Sequence, residues 1–199
     1  MVAAPGRRRI GVMGGTFDPV HAGHLIVASE ALHSLNLSEV VFVPAANPWQ
    51  KAPQVSAAHR LEMVRVATAN EPAFRVSDVD IVRGGNTYTV DTLADLKAEN
   101  PDADFFLLVG SDALGSMTTW KNYEKIFTLC HVVGMTRPGH PVSTEHLPTG
   151  GVTLLTVPAI EISSTDCRDR LRYGRPVRFM LTSPVYDFIT TQQLYRRDA

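Results

Sequence analysis

The sequence predicts an α/β protein: a Rossmann-like, doubly wound parallel sheet forming a single domain over residues 1–199, with its core at about 9–192. Three observations carry that prediction. Short apolar runs alternate with stretches of helical periodicity, the pattern of parallel strands joined by right-handed helical crossovers. Two of those runs pass directly into glycine, at Gly14-Gly15 and at Gly110, as do strands that end in a ligand-facing turn. The chain has 199 residues, 44% of them hydrophobic, enough for one sizeable core.

The elements follow in order. Ile10-Gly11-Val12-Met13 is a short apolar strand bounded by glycine. Leu25, Ala28, Leu32 and Leu35 then recur at spacings of three and four, one face of a helix. Val40 to Val43 reads as a second buried strand ending at Pro44, and the proline-rich stretch from Pro44 to Pro53 reads as a loop leaving its carboxyl end. Ser56 caps a helix through Arg60, Leu61, Met63, Val64 and Ala67. Residues 75–83 alternate polar and apolar, the strand period, until Gly84-Gly85-Asn86 breaks the pattern. Thr87-Tyr88-Thr89 opens a helix that turns Val90, Leu93 and Leu96 inward.

Asp104 to Val109 is the most apolar run and predicts a central strand, followed at once by Gly110-Ser111-Asp112. A short apolar helix leads to Trp120-Lys121, a further helix carries Tyr123, Ile126 and Phe127, and residues 131–135 form a strand closed by Arg137-Pro138-Gly139. Residues 138–151, rich in proline and glycine, predict an exposed, mobile connection. Residues 152–157 supply a last strand, Ser163-Ser164-Thr165 begins a helix, and Val185, Phe188, Ile189 and Leu194 mark a final amphipathic one. No internal repeat breaks this order.

Composition narrows the function. The net charge of −1, from 19 basic and 20 acidic residues, provides no field for nucleic acid, and the arginines at 7–9 and 196–197 read as solvated ends. Cys130 and Cys167 are far apart with no metal-type spacing, so neither a disulfide framework nor a zinc site is expected, as befits a reducing cytoplasm. No signal-type apolar segment opens the chain and no run approaches the roughly 18 residues that span a bilayer. The expectation is a soluble cytoplasmic protein with no nucleic-acid or membrane partner.

The stretch from Gly14 to His24 carries the chemistry. Strand, glycine turn and helix in that order make an anion pocket: Gly14 and Gly15 let backbone amides approach a phosphate, and the helix start adds free N–H groups and a positive dipole end. His21 and His24, three apart at that helix mouth, fall on one face and place two imidazoles beside the same phosphate. The string lacks the third spaced glycine of a dinucleotide fingerprint and the Gly-Lys-Ser/Thr of a P-loop.

Gly14-Gly15-Thr16-Phe17-Asp18-Pro19-Val20-His21-Ala22-Gly23-His24 closely resembles the (G/S)xFDPxHxGH signature of the nucleotidyltransferase superfamily, and within it the bacterial nicotinate mononucleotide adenylyltransferases. A second segment, Ile162-Ser163-Ser164-Thr165-Asp166-Cys167-Arg168, resembles that family's ISSTxIR motif, with Cys167 at the usual isoleucine. The resemblance runs from Ile10 to about Ile189. It implies adenylyl transfer from ATP to nicotinate mononucleotide, with Mg²⁺ carried by ATP and no tightly bound organic cofactor. His21, His24 and Arg168 are the implied catalytic residues. ATP falls to Gly14, Gly15, Thr16, Phe17, Asp18, Gly23, His24, Gly110, Asp112, Ser163, Ser164, Thr165 and Arg168, with Asp112 a candidate metal ligand. The mononucleotide falls to Gly15, Lys51, Thr87, Tyr88, Thr89, Trp120 and Arg137: Trp120 stacks on the pyridine, and the helix mouth at residues 87–89 takes the carboxylate. Lys51 matches the lysine of a PxxPPHK loop whose histidine is absent here. Homo-oligomers are common in that family, so a homo-oligomer remains open.

Three other readings stand beside this one. An adenylyltransferase for nicotinamide mononucleotide or phosphopantetheine uses the same motif, although the phosphopantetheine enzymes usually have threonine where His21 stands. A dinucleotide-dependent oxidoreductase lacks its third glycine and an acidic residue closing the second strand. A non-catalytic nucleotide sensor is expected to have lost a histidine or the Ser-Ser-Thr cluster, and both are intact.

Overall fold

A computed structural model describes residues 6–48, 52–138 and 142–196. Six parallel strands form the main sheet in the order β4-β2-β1-β6-β7-β8, with β1 at Arg9–Gly15, β2 at Glu39–Pro44, β4 at Phe74–Val76, β6 at Asp104–Gly110, β7 at His131–Thr136 and β8 at Val152–Thr156. The expected doubly wound architecture is therefore observed. The strand order reverses beside β1, which pairs with β2 on one side and β6 on the other. That reversal opens a crevice at the carboxyl ends of β1 and β6, where ligands bind in open α/β sheets.

Period-two alternation divides the apolar side chains between two helical layers. Met13, Val40, Phe42, Phe106, Leu108 and Val133 face the layer of α1 (Ala22–Ser34), α2 (Ala57–Thr68), α7 (Ser164–Arg172) and α8 (Ser183–Thr191). Ile10, Val12, Val41, Val43, Phe105, Leu107 and Val132 face α4 (Thr89–Glu99), α5 (Ser111–Gly115) and α6 (Tyr123–Leu129). Layer contact also explains two glycines inside strands. A Cβ on Gly11 would lie 2.8 Å from Leu37, and one on Gly134 would lie 2.6 Å from Leu114.

The structure corrects several sequence expectations. The alternation over residues 75–83 is strand only in β4; Val79–Arg83 is a short helix, α3. Ser77 Oγ accepts the Val79 N–H, and Asp80 pairs with Arg83 at the i,i+3 spacing that only a helix brings together. The loop after β2 contains β3 (Asn47–Pro48), which pairs with β5 (Asn86–Thr87) in a small parallel ladder. The connection after β7 is not wholly exposed, because Leu147 is buried in the second core. Helix α8 stops at Thr191, short of Leu194, and Gln193 and Tyr195 take left-handed backbone angles that turn the chain back onto the molecule. Arg8 and Arg9 are engaged, not idle: Arg8 pairs with Glu39 at 2.8 Å, and the Arg9 guanidinium lies 4.4 Å from the centre of the Phe106 ring. Cys130 and Cys167 are free, and Cys167 is fully buried in the first core, a packing role. Among the described residues no helix is long and apolar enough to cross a membrane.

Candidate active site

Two cavities open side by side at the carboxyl edge of the sheet. The larger, about 780 Å³, is lined by Gly14 to Asp18, His21, Gly23, His24, Gly110 to Ala113, Arg137, residues 162–165 and Arg168. The smaller, about 220 Å³, is lined by Pro48, Asp80, Thr87, Thr89, Thr92, Leu93 and Trp120. Gly14, Gly15, Thr16, Gly110 and Ala113 line both. Gly14 and Gly110 lie at the carboxyl ends of the adjacent strands β1 and β6, and a Cβ on either would meet no protein atom within 4 Å outside its own chain neighbours. Packing therefore does not require glycine at these positions. Side-chain-free tips leave a shelf on which a phosphate can reach the backbone.

The helix mouth beside this shelf is built by the histidines. His21 is the N-cap of α1 and His24 its third residue, an imidazole form of the capping box. The His21 N–H donates to His24 Nδ1 at 3.2 Å, so a neutral His24 carries its proton on Nε2. The two rings lie 3.8 Å apart, and the Phe17 ring meets His24 edge-on at 5.1 Å. A Cβ on Gly23 would stand 3.1 Å from the His21 ring, which is why glycine follows the cap residues here. His21 is buried, and desolvation lowers its pKa to about 4, so the ring is neutral near pH 7. No acidic residue occupies the first turn of α1 to compete with a bound anion.

Other signature residues act behind this surface. Phe17 is buried with a left-handed backbone, and its ring lies over Gly15, 3.0 Å from where a Cβ would stand. Asp18 is buried: its carboxylate accepts from Tyr195 Oη at 2.6 Å and from the Gln54 N–H at 2.7 Å. Arg168 donates to the Asp18 carbonyl at 2.6 Å and to Thr165 Oγ1 at 3.2 Å, while Ser164 Oγ donates to the Pro19 carbonyl at 2.9 Å. Ser163 caps α7 by accepting the Asp166 N–H at 3.1 Å, which leaves its own hydroxyl proton available. The second motif thus reaches the larger cavity and braces the first motif at once.

In the smaller cavity Thr87 Oγ1 accepts the Ala46 N–H at 2.9 Å, leaving the Thr87 proton for another acceptor. Tyr88 caps α4 and lies under Lys121, whose ammonium is 4.4 Å from the ring centre and 3.0 Å from Asp91. Trp120 borders the cavity and Asp112 stands exposed in the first turn of α5. Arg137, expected on the mononucleotide side, lines only the larger cavity. Lys51 and Trp49 lie outside the described residues. Sequence reasoning missed Asp80, Thr92, Arg60 and Tyr195. Asp80 is buried, accepts from Thr92 Oγ1 at 2.7 Å and pairs with Arg83, which also pairs with Asp95; burial raises its pKa. Among the described residues no group of three or more His, Cys, Asp or Glu is arranged to hold a metal ion.

Comparison with known proteins identifies the family. The cytidylyltransferase-like family matches residues 12–170. A probable nicotinate-nucleotide adenylyltransferase of Leifsonia xyli is 50% identical over 96% of this chain and 95% of its own length. One from Streptomyces coelicolor is 54% identical over 92% and 99%. The fold is similar to that of Plasmodium falciparum nicotinic acid mononucleotide adenylyltransferase complexed with NaAD, with a TM-score of 0.78 at 20% identity over 95% of this chain and 98% of that one. A family match across most of the chain, and relatives this similar along nearly their full length, establish that the protein belongs to the cytidylyltransferase-like family and, within it, to the nicotinate-nucleotide adenylyltransferases.

Proposed function

We propose that the chain transfers the adenylyl group of ATP to nicotinate mononucleotide, releasing pyrophosphate and forming nicotinate adenine dinucleotide in the cytoplasm. The observation that carries this reading is the pair of cavities sharing Gly14, Gly15, Thr16 and Gly110. One carries histidines, hydroxyls and an arginine and is large enough for a nucleoside triphosphate; the other is small and bordered by a tryptophan, suited to an aromatic ring. Their common floor is where two phosphates would meet.

An oxygen of the acceptor's phosphate attacks the α-phosphorus, a new O–P bond forms, and the bond to the β-phosphate breaks, its electron pair leaving with pyrophosphate. The nucleophile is already ionised near pH 7, so the reaction needs no general base and no covalent enzyme intermediate. The protein supplies position and charge. Orientation is worth about 7–11 kcal/mol in favourable cases, and one well-aimed donor to the developing charge about 3–4 kcal/mol. We assign that donor to His24 Nε2–H, with neutral His21 beside it, the helix amides of α1 beneath, and Ser163, Thr165 and Arg168 on the pyrophosphate side. The Thr87 hydroxyl and the start of α4 receive the nicotinate carboxylate. Mg²⁺ carried by ATP fits the donor set, because such an ion keeps most of its ligands as phosphate and water and asks the protein for one or two carboxylates; Asp112 is the candidate, and the ion supplies charge neutralisation on the β- and γ-phosphates.

The test is pyrophosphate release from Mg-ATP with nicotinate mononucleotide, nicotinamide mononucleotide, phosphopantetheine or no acceptor in parallel. Release dependent on the nicotinate form is expected; release only with another acceptor reassigns the substrate, and none in any well removes the catalytic reading. His24→Ala is expected to lose at least about a hundredfold in turnover with ATP binding largely kept, and near-wild-type turnover would refute the donor role.

A further inference from the structure

We propose that Arg60 is a positioning residue that locks the two substrate cavities to each other, through Thr16 of the phosphate loop on one side and, by way of the Ala46 backbone, Thr87 of the ring cavity on the other. Arg60 lies in the first turns of α2 with an exposure of 0%, the largest fully buried side chain among the described residues. In the sequence it is one member of a helix of which nothing catalytic is demanded. Its guanidinium does something else: Nη1 donates to the Thr16 carbonyl at 2.7 Å and Nη2 to the Ala46 carbonyl at 3.0 Å. Thr16 lines both cavities. Ala46 passes the constraint on, because its own N–H donates to Thr87 Oγ1, the hydroxyl at the mouth of α4. One planar fork therefore fixes the distance between the two loops whose ligands must react.

Charge points the same way. Both hydrogen-bond partners of Arg60 are neutral carbonyls, and among the described residues no carboxylate lies within ion-pair distance of it. Asp18 is the carboxylate that acts on it through space, and that carboxylate is already shared with Tyr195, Gln54 and Arg168. Behind the glycine loop stand two guanidinium groups and one carboxylate, a net positive charge that a bound polyphosphate balances. A packing role alone would be met by an apolar side chain without the cost of burying a cation. Lysine cannot replace the fork, since its single ammonium does not span two carbonyls in a fixed plane.

This inference rests on the adenylyl-transfer reading, and wild-type pyrophosphate release with nicotinate mononucleotide tests that reading first. With the wild type active, Arg60→Lys, Thr87→Val and the double variant are compared for kcat, for KM of each substrate and for thermal unfolding. Arg60→Lys is expected to unfold as one cooperative transition yet lose roughly ten- to a hundredfold in kcat, the size of effect that follows a misplacement of about 1 Å. The double variant is expected to be little worse than the poorer single, because both break the same chain of contacts. Losses that multiply, or a wild-type kcat in Arg60→Lys, overturn the proposal. If Arg60→Lys does not fold, Thr87→Val alone decides: at saturating acceptor it should raise the KM for ATP several-fold across the tie, and an unchanged KM for ATP overturns the proposal.

Discussion

The fold decides the tautomer of His24. The backbone N–H of His21 occupies Nδ1, so the proton of the neutral ring sits on Nε2, the group proposed as donor to the phosphate, and one residue's main chain sets another's tautomer. The side chain of His21 has a different constraint. Its pKa in the folded protein, about 4, lies below the ordinary 6.5 because burial disfavours the charged ring. Between those values the unfolded chain binds a proton that the folded chain does not, so stability rises with pH across this interval and is lost as pH falls from 6.5 towards 4. The full shift corresponds to roughly 3 kcal/mol. His131 is shifted in the same direction by burial, so the His21 share is isolated by difference. Asparagine keeps the capping function without titrating. Urea unfolding at pH 4.5 and 7.5 should therefore show His21→Asn losing about 2–3 kcal/mol less on acidification than the wild type; equal losses would contradict a neutral buried imidazole. Above pH 6.5 the ring stays neutral, and no step in activity near neutrality should be traceable to it.

At the scale of elements, what could be read in the sequence was local, and what could not was distant. Strands β1, β2, β6 and β7 were legible because a strand buried on both faces is apolar at nearly every position. The starts of α2 and α7 were legible because Ser56 and Ser163 cap them as short-range chemistry requires. Helix α3 was misread because five residues are too few for the two periods to diverge. The ladder of β3 and β5 is two residues long and joins segments 39 positions apart, so no pattern announces it. Arg60 stood out as nothing more than a member of helix α2, because periodicity weighs only the apolar members and its two acceptors lie 44 and 14 positions away. Tyr195 was hidden most completely: its partner Asp18 lies 177 positions away, and a left-handed turn after α8 brings them together. Burial pushes the Tyr195 pKa up, so it remains a phenol and donates to the buried carboxylate. Tyr195→Phe removes that bond while keeping the ring. A hydrogen bond to a charged group is worth about 1.5–3 kcal/mol, and about 2–4 °C accompanies each kcal/mol in a chain of this size. The variant should melt several degrees lower; an unchanged melting temperature would mean that the tail does not hold the signature loop.

On the scale of the whole molecule, parallel pairing sends every strand's carboxyl end to one edge, and the reversal beside β1 leaves that edge open where it matters. The signature loop after β1, Ala45 after β2, the Gly110 turn after β6 and the start of α7 all line one crevice. Because the two cavities share a floor of backbone, a ligand that fills both must cross that shared shelf, and the reaction product is the ligand proposed to do so. Binding to the folded state raises stability by RT ln(1 + [L]/Kd), about 2.7 kcal/mol at a hundredfold excess over Kd, which is a rise of roughly 5–10 °C here. A dinucleotide that spans both cavities loses its rigid-body freedom once and gains the contacts of two ligands, so its Kd should fall below that of either half. At equal concentrations nicotinate adenine dinucleotide should therefore raise the melting temperature more than ATP or nicotinate mononucleotide alone. Trp120→Ala should shrink that advantage while leaving the shift with ATP nearly intact, since Trp120 borders only the smaller cavity. A dinucleotide shift no larger than that of its better half would mean that the cavities are not occupied together, and the shared glycine floor would then not be the place where the new phosphate bond is made.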